Sequence, residues 1–192
     1  MIVLAGGIGS GKSVVARWLR LRGFGVYDCD LRARMLMQKD DLLKKRIKEI
    51  AGEDIYDSEG ILRRRALAEI LFENPEIRCM VNKEVHEAVK NDISQWLSDN
   101  PNNIFVETAI PAESGLADRA EEIWMVEASL DTRLKRVRER DSRSENEIKK
   151  IIEAQENEEK RLQSKGKKIE RIFNDLDDLV SPQIIRKLIK YA

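Results

Sequence analysis

The residues with the clearest chemical potential form a glycine-rich stretch near the start of the chain. Gly6-Gly7-Ile8-Gly9-Ser10-Gly11-Lys12-Ser13 matches the pattern G-x-x-x-x-G-K-[ST], which is typical of a loop that binds phosphate groups. Glycines let the backbone turn tightly and bring its N–H groups close to phosphate oxygens. Lys12 can reach the outer phosphates of a nucleotide, and the Ser13 hydroxyl can bind Mg²⁺. The predicted nucleotide-binding residues are Gly7, Ile8, Gly9, Ser10, Gly11, Lys12, Ser13 and Val14.

The residues around this stretch predict the elements that must position it. The apolar run Ile2–Ala5 is typical of a buried parallel strand, and residues 14–20 have the composition of a helix. Strand, glycine loop and helix is the order that phosphate binding requires, because the helix N-terminus adds N–H donors and a favourable dipole.

Two acids, Asp28 and Asp30, end the next predicted strand, residues 25–30. Alternation along a strand predicts that both side chains point to one side. Beside a phosphate loop, a carboxylate can take the proton of an incoming hydroxyl or bind Mg²⁺. The alternative is a solvated strand end at which Asp30 caps the following helix. We favour the functional interpretation, with Asp30 ahead of Asp28.

A row of arginines lies on one face of a later predicted helix, with steps of three, four and three residues. Such a row can neutralise a phosphoryl group during transfer, although a solvated helix face is the more common meaning of a charge run. We single out Arg140 as the functional member. The row is Arg133, Arg136, Arg140 and Arg143, and the apolar face opposite it is predicted to be Leu130, Leu134 and Val137.

The single histidine, His86, follows Val85 on a long predicted helix that starts at Asn74-Pro75. A lone histidine on a helix is more often a structural hydrogen-bonding residue than a catalyst. Residues 57–60 fit the D-x-x-G pattern of GTPases, but no apolar strand precedes them. Residues 82–85 begin like the guanine-reading N-K-x-D pattern but end in valine, so a GTPase is disfavoured.

Composition excludes several classes of function. The 192 residues carry 35 basic and 35 acidic side chains, so net charge gives no reason to expect nucleic-acid binding. No apolar run is long enough for a membrane span, and no secretory signal precedes the first strand. Two isolated cysteines indicate reduced thiols in the cytoplasm, and one histidine cannot build a multi-histidine zinc site. We expect a cytoplasmic monomer or weak homo-oligomer without nucleic-acid or membrane partners.

Strands alternate with helices along the chain, which predicts an α/β fold with a mostly parallel sheet between helical layers. Further strands are expected at residues 104–107, 123–127 and within 167–174, and a last helix from Pro182. The whole chain, 1–192, reads as one domain of the P-loop NTPase type. A helical insertion, 31–98, would lie on the substrate side, and the polar stretch 140–165 would form a helical lid.

Several segments, in order from Ile2 to about Asn174, resemble the dephospho-CoA kinase family. The phosphate loop is similar to that family's version, and the Asp28-Cys29-Asp30 segment is similar to its D-A-D. Further similar segments are Gly60–Leu67, Phe72–Pro75, Asn82–His86, Glu113–Leu116, Arg133–Asp141 and Gln155. The chain departs from the family pattern at Glu87, at Glu107–Pro111 and within Gly166–Asn174.

The resemblance implies an ATP-dependent kinase that phosphorylates the ribose 3′-hydroxyl of dephospho-CoA, a small molecule, with Mg²⁺. Asp30 would then be the base, Lys12 and Arg140 would stabilise the transferring group, and Ser13 would hold Mg²⁺. Gln155 would lie on the nucleotide side. The implied acceptor-side residues are Asp28, Arg64, His86 and Glu113.

Two other functions remain open on the residues alone. One is a kinase of another nucleoside or nucleotide, which would share the loop and lid and differ only in the acceptor segment. The other is a P-loop binding protein that acts as a nucleotide switch, which would hydrolyse nucleotide slowly and need no acceptor.

Overall fold

The computed structural model describes residues 1–140, 145–175 and 179–189, which form two compact units. The first unit comprises Met1–Tyr27 and Asp99–Ala192, and the second comprises Asp28–Ser98. The strands are β1 Ile2–Ala5, β2 Gly25–Asp28, β3 Asn103–Glu107, β4 Glu122–Glu127 and β5 Ile169–Phe173. The helices are α1 Lys12–Leu21, α2 Cys29–Lys39, α3 Asp41–Ala51, α4 Arg64–Glu73, α5 Pro75–Asp99, α6 Leu116–Arg119, α7 Leu130–Arg140, α8 Glu145–Ser164 and α9 Val180–Leu188.

The sheet has the strand order β2-β3-β1-β4-β5, with the strand that precedes the phosphate loop at its centre. β1 pairs in parallel with β3 and β4, and β4 pairs in parallel with β5. All four residues of β1 are buried, which explains why its sequence is continuously apolar rather than alternating. The predicted α/β fold with a parallel sheet is therefore confirmed.

The core of the first unit joins the sheet to the helices that flank the phosphate loop. Phe105 of β3 and Trp124 of β4, the two strands that pair with β1, form an edge-to-face pair with ring centroids 5.0 Å apart. Val15 and Leu19 of α1 and Ile184 of α9 are fully buried in the same cluster. Burial of these side chains fixes α1, and hence the loop before it, against the sheet.

The second unit is helical and has its own core, in which Leu43 and Ile47 of α3 pack with Val81 of α5. The Tyr56 hydroxyl donates a hydrogen bond to the Met37 carbonyl oxygen at 2.7 Å, and burial raises the pKa of Tyr56 to about 12. The predicted helices of segment 31–98 are present. Its assignment as an acceptor-side subdomain remains a prediction.

One predicted core residue is wrong. Leu130 is 50% exposed, because it is the first residue of α7 and lies at the open end of that helix. Thr132 and Val137 are the buried residues of α7 instead. Residues 141–144 of the predicted lid, which include Arg143, lie outside the described residues. Helix α8 covers most of the rest of the predicted lid. No helix among the described residues is long and apolar enough to cross a membrane.

The N-terminus of α7 is anchored by an acid that follows β5. Asp175 accepts hydrogen bonds from the Ser129 backbone N–H at 3.0 Å and from the Ser129 hydroxyl at 2.8 Å. Hydrogen bonds from the Thr132 and Ser129 side chains and the Ser129 N–H lower the pKa of Asp175 below its ordinary value of 3.8. The acid thus supplies acceptors to N–H groups that a helix start leaves unpaired.

This anchor predicts a component of acid sensitivity. Because the pKa of Asp175 is lower in the folded state, its stabilisation is fully present above pH 3.8 and is lost as the pH falls through the lowered folded pKa. Asp175→Asn should be less stable at neutral pH and lose less stability on acidification. Urea unfolding of both proteins, followed from about pH 7 to about pH 3, measures the difference.

Asp131→Asn is the matched control, since Asp131 lies in the first turn of the same helix. It leaves the hydrogen bonds of Asp175 in place, so the contribution of Asp175 to acid sensitivity should persist. Parallel acid curves for Asp175→Asn and the unsubstituted protein would contradict the expected role of Asp175.

Candidate active site

The phosphate loop connects β1 to α1 in the predicted way. Its turn is closed by a hydrogen bond from the Ser10 N–H to the Gly7 carbonyl oxygen at 3.1 Å. Gly11 caps α1 with a left-handed backbone, φ 86° and ψ 26°, so that Lys12 and Ser13 fall in the first helical turn. The start of a helix, with its backbone N–H groups and the helix dipole, provides a site for an anion.

The carbonyl oxygens of the loop are held by side chains from α7 and from the end of β5. Arg133 Nε donates to the Ile8 oxygen at 2.9 Å, and Arg136 Nη1 contacts the Gly9 oxygen at 3.4 Å. Asn174 Nδ2 donates to the Ser10 oxygen at 2.8 Å, and Asn174 is buried. With the carbonyls occupied in this way, the loop is held in place by residues distant in sequence.

Two glycines of the loop must lack a side chain because protein atoms lie close to them, and not only because phosphate must approach the backbone. A Cβ at Gly11 would lie 2.0 Å from Asn174 Nδ2, and a Cβ at Gly9 would lie 2.7 Å from the Arg133 carbonyl oxygen. Both glycines have positive φ, 86° and 77°. A side chain at either position would therefore meet both steric overlap and an unfavourable backbone conformation.

The loop fits a nucleotide and its Mg²⁺ on the chemistry of its donors. Ser13 is exposed at the start of α1, where a hydroxyl can reach a cation beside bound phosphates. Lys12 is half-buried next to it, and Val14 is exposed. The predicted nucleotide-binding residues from Gly7 to Val14 are thus contiguous in space. Their roles toward nucleotide and metal remain predictions.

Helix α8 approaches the phosphate loop with one side. Gln155 Oε1 accepts a hydrogen bond from the Ile8 N–H at 2.7 Å. The sequence placed Gln155 on the nucleotide side, and the structure shows a contact with the loop backbone. Ile148 and Ile152 of α8 pack against Val137 of α7 and against Ile8.

The arginines of the row differ in burial and in what they face. Arg133 and Arg136 are half-buried and face the loop, whereas Arg140 is exposed as the last residue of α7. Sequence reasoning selected Arg140 and missed the bracing roles of Arg133, Arg136 and Asn174. The spacing of the row was a usable signal for the two arginines, but the contact of Asn174 required the pairing of β4 with β5.

The predicted geometry of Asp28 and Asp30 is wrong. β2 ends at Asp28, whose Oδ1 accepts a hydrogen bond from the Leu31 N–H at 2.9 Å and caps α2. Asp30 is exposed in the first turn of that helix, so the alternation of a strand does not apply to the pair. The sequence missed this because an acid that ends a strand and an acid that caps a helix have the same local pattern.

The remaining acceptor-side residues occupy three places. Arg64 is exposed at the start of α4, and His86 is half-buried on α5, so both belong to the second unit with Asp28 and Asp30. Glu113 belongs to the first unit, in the segment between β3 and α6. Its carboxylate lies 3.6 Å from Arg161 Nη1 of α8. The roles of these residues toward a substrate remain predictions.

A parallel sheet whose central strand leads through a glycine loop into a helix defines a P-loop nucleotide-binding protein. A family model described as Dephospho-CoA kinase matches residues 1–171. A dephospho-CoA kinase of Porphyromonas gingivalis is 33% identical over 186 residues, covering 96% of this chain and 91% of the relative. One of Bacteroides fragilis is 34% identical over 186 residues, covering 96% and 89%.

Two solved structures have the same fold. A Thermus thermophilus protein aligns with a TM-score of 0.77 at 29% identity, covering 99% of this chain and 94% of the other. A dephospho-CoA kinase of Campylobacter jejuni aligns with a TM-score of 0.69 at 22% identity, covering 99% and 96%. The chain belongs to the dephospho-CoA kinase family. The predicted class, an ATP-dependent kinase with a small-molecule acceptor, is thereby confirmed.

The bracing of the loop gives a test with a matched pair of glycines. Gly11→Ala and Gly23→Ala each place a side chain at positive φ, 86° and 87°, which costs about 1–2 kcal/mol. A Cβ at Gly23 meets nothing within 4 Å, whereas one at Gly11 overlaps Asn174. Only Gly11→Ala should weaken ATP binding, by at least about tenfold, because it displaces the loop.

Thermal unfolding and ATP titration of the two variants separate the backbone cost from the overlap. Equal ATP affinity in Gly11→Ala and Gly23→Ala would show that Asn174 does not hold the loop.

Proposed function

We propose that this chain transfers the γ-phosphoryl group of ATP to the ribose 3′-hydroxyl of dephospho-CoA, with Asp30 as the general base. The observation that carries this proposal is the match to the dephospho-CoA kinase family over residues 1–171, joined to a complete phosphate loop between β1 and α1. Phosphoryl transfer depends mainly on positioning and on charge neutralisation, so the residues that do this define the mechanism.

The donor side is the phosphate loop with the first turn of α1. Residues from Gly7 to Val14 form the binding site for the phosphates of ATP, and Lys12 neutralises the outer ones. Arg140, at the end of α7, adds positive charge to the transferring group. The braces from Arg133, Arg136 and Asn174 keep the loop in its binding conformation before ATP arrives.

The Ser13 hydroxyl is the protein ligand that we assign to Mg²⁺, since it is exposed at the helix start beside the loop. The ion, when bound, neutralises charge on the phosphate oxygens. This assignment is supported by the position of Ser13 in the loop pattern and by its exposure.

The acceptor side carries the base. Asp30 takes the proton of the 3′-hydroxyl as that oxygen attacks the γ-phosphorus and the bond from this phosphorus to the β–γ bridging oxygen breaks, so that ADP leaves. The exposure of Asp30 in the first turn of α2 leaves it accessible to a substrate. Asp28 holds that turn in place by capping it. Arg64, His86 and Glu113 contact the acceptor.

The reaction is assigned to the cytoplasm, where ATP and reduced thiols are present. Two isolated cysteines, Cys29 and Cys79, support this assignment. We further assign a monomer or weak homo-oligomer, with no nucleic-acid or membrane partner.

ADP release measured with a panel of acceptors tests the function. Strong stimulation by dephospho-CoA alone, lost when Mg²⁺ is chelated, is expected. Stimulation only by nucleosides or nucleoside monophosphates would indicate a different kinase, and ADP release without any acceptor dependence would indicate a nucleotide switch.

Replacement of the base tests the mechanism. Asp30→Asn should retain ATP affinity and lower kcat by about 10²–10⁴-fold, because the amide cannot take the hydroxyl proton. Asp41→Asn is a matched control, since Asp41 is an exposed acid in the first turn of α3 in the same unit. ATP titration and steady-state kinetics measure both variants. Normal turnover by Asp30→Asn would remove Asp30 as the base.

A further inference from the structure

Helix α8 makes two polar contacts with two different loops of the first unit. Gln155 accepts from the Ile8 N–H of the phosphate loop. Three residues further on, Glu158 Oε2 accepts from the Ala112 N–H at 2.8 Å, and Glu158 Oε1 accepts from the Glu113 N–H at 3.1 Å. Residues three apart lie on the same side of a helix, so one side of α8 contacts both loops.

Glu158 is an unusual residue to find buried on this polar helix. It is only 5% exposed, and burial of a carboxylate is costly unless it is paired. Two consecutive backbone N–H groups and Arg161, with Nη1 3.1 Å from Oε1, supply that pairing. Both oxygens are used as acceptors, a requirement that glutamine cannot meet because one of its two terminal atoms is a donor.

The segment that Glu158 holds carries Glu113, which the proposed function assigns to the acceptor. The same Arg161 that pairs with Glu158 lies 3.6 Å from the Glu113 carboxylate. Glu158 therefore fixes the backbone of Glu113, and Arg161 restrains its side chain. Glu158 itself contacts loop backbone and Arg161, and we assign it no contact with a substrate.

The position of α8 is set independently of these two contacts. Ile148 and Ile152 pack against α7, and Glu159 pairs with Arg171 of β5 at 2.6 Å. Arg171 also pairs with Glu127 at the end of β4. A helix anchored to α7 and the sheet can hold the two loops at a constant separation.

We propose that α8 positions the two substrates relative to each other, with Gln155 as the positioning residue for the phosphate loop and Glu158 as the positioning residue for the acceptor loop, Ala112–Glu113. The inference rests on the proposed function for the assignment of Glu113 to the acceptor. It extends the role of the predicted lid, residues 140–165, because the same helix also sets the acceptor loop.

Substitution of Glu158 and substitution of Gln155 should change the kinetic constants of different substrates. Glu158→Gln should raise the KM for dephospho-CoA or lower kcat, by about 10–100-fold in kcat/KM, and leave the KM for ATP unchanged, since small misplacement of a substrate-binding group costs rates of this size. Gln155→Ala should raise the KM for ATP by about tenfold and leave the KM for dephospho-CoA unchanged.

Glu153→Gln is the matched control, because Glu153 is exposed on the same helix and undergoes the same chemical change. It should retain the kinetics of the unsubstituted enzyme. Glu158→Asp keeps the carboxylate on a shorter side chain and should recover part of the lost kcat/KM. Thermal unfolding of every variant identifies a general loss of structure, and Gln155→Ala keeps the test decisive if Glu158→Gln does not fold.

If Glu158→Gln changed the KM for ATP and the KM for dephospho-CoA equally, or if it had wild-type kinetics, the inference would be overturned. A general structural role for Glu158 would raise both KM values together with a fall in Tm. If the unsubstituted enzyme does not phosphorylate dephospho-CoA, the proposed function fails instead. ATP titration of the same variants then still tests the Gln155 contact, and equal affinities in Gln155→Ala and Glu153→Gln would overturn it.

Discussion

The structure depends on holding one short loop in place through hydrogen bonds to its carbonyl oxygens. A peptide that offers its N–H to an anion must place its carbonyl elsewhere, and an unpaired buried carbonyl is unfavourable. Here Arg133, Arg136 and Asn174 direct N–H donors at the carbonyl oxygens of the loop. A hydrogen bond from a charged donor contributes about 1.5–3 kcal/mol, so Arg133, whose Nε lies 2.9 Å from the Ile8 oxygen, fixes the loop more firmly than a neutral donor could.

This constraint links the loop to most of the first unit. Asn174 can reach Ser10 because β5 pairs with β4, which itself pairs with β1. The position of Arg133 depends on the start of α7. Asp175, the residue that follows Asn174, anchors that start. Two consecutive residues after β5 therefore stabilise the loop, one directly and one through α7. The stretch 166–174, in which the family pattern is weakest, thus contains a residue on which the phosphate loop depends.

The fold was largely predictable because its signals are local. Apolar runs identified β1, β3 and β4, the Asn74-Pro75 start identified α5, and the glycine pattern identified the loop. Parallel pairing followed from the alternation of strands and helices. Leu130 was assigned wrongly because periodicity does not show where a helix begins, and the first turn of α7 leaves this residue exposed.

The sequence by itself determined the chemistry of the donor site and the family, because the loop pattern and the ordered segments are contiguous and need no knowledge of contacts. It singled out Asp30 as a candidate base but not its setting, since the sequence does not show that β2 ends at Asp28 and that Asp28 caps α2 through Leu31. Only the tertiary structure decided which side chains hold the loops. Glu158 contacts residues 45 and 46 positions away, and Asn174 contacts one 164 positions away. Such pairs are created by strand pairing and helix packing, and no local pattern in the chain specifies them.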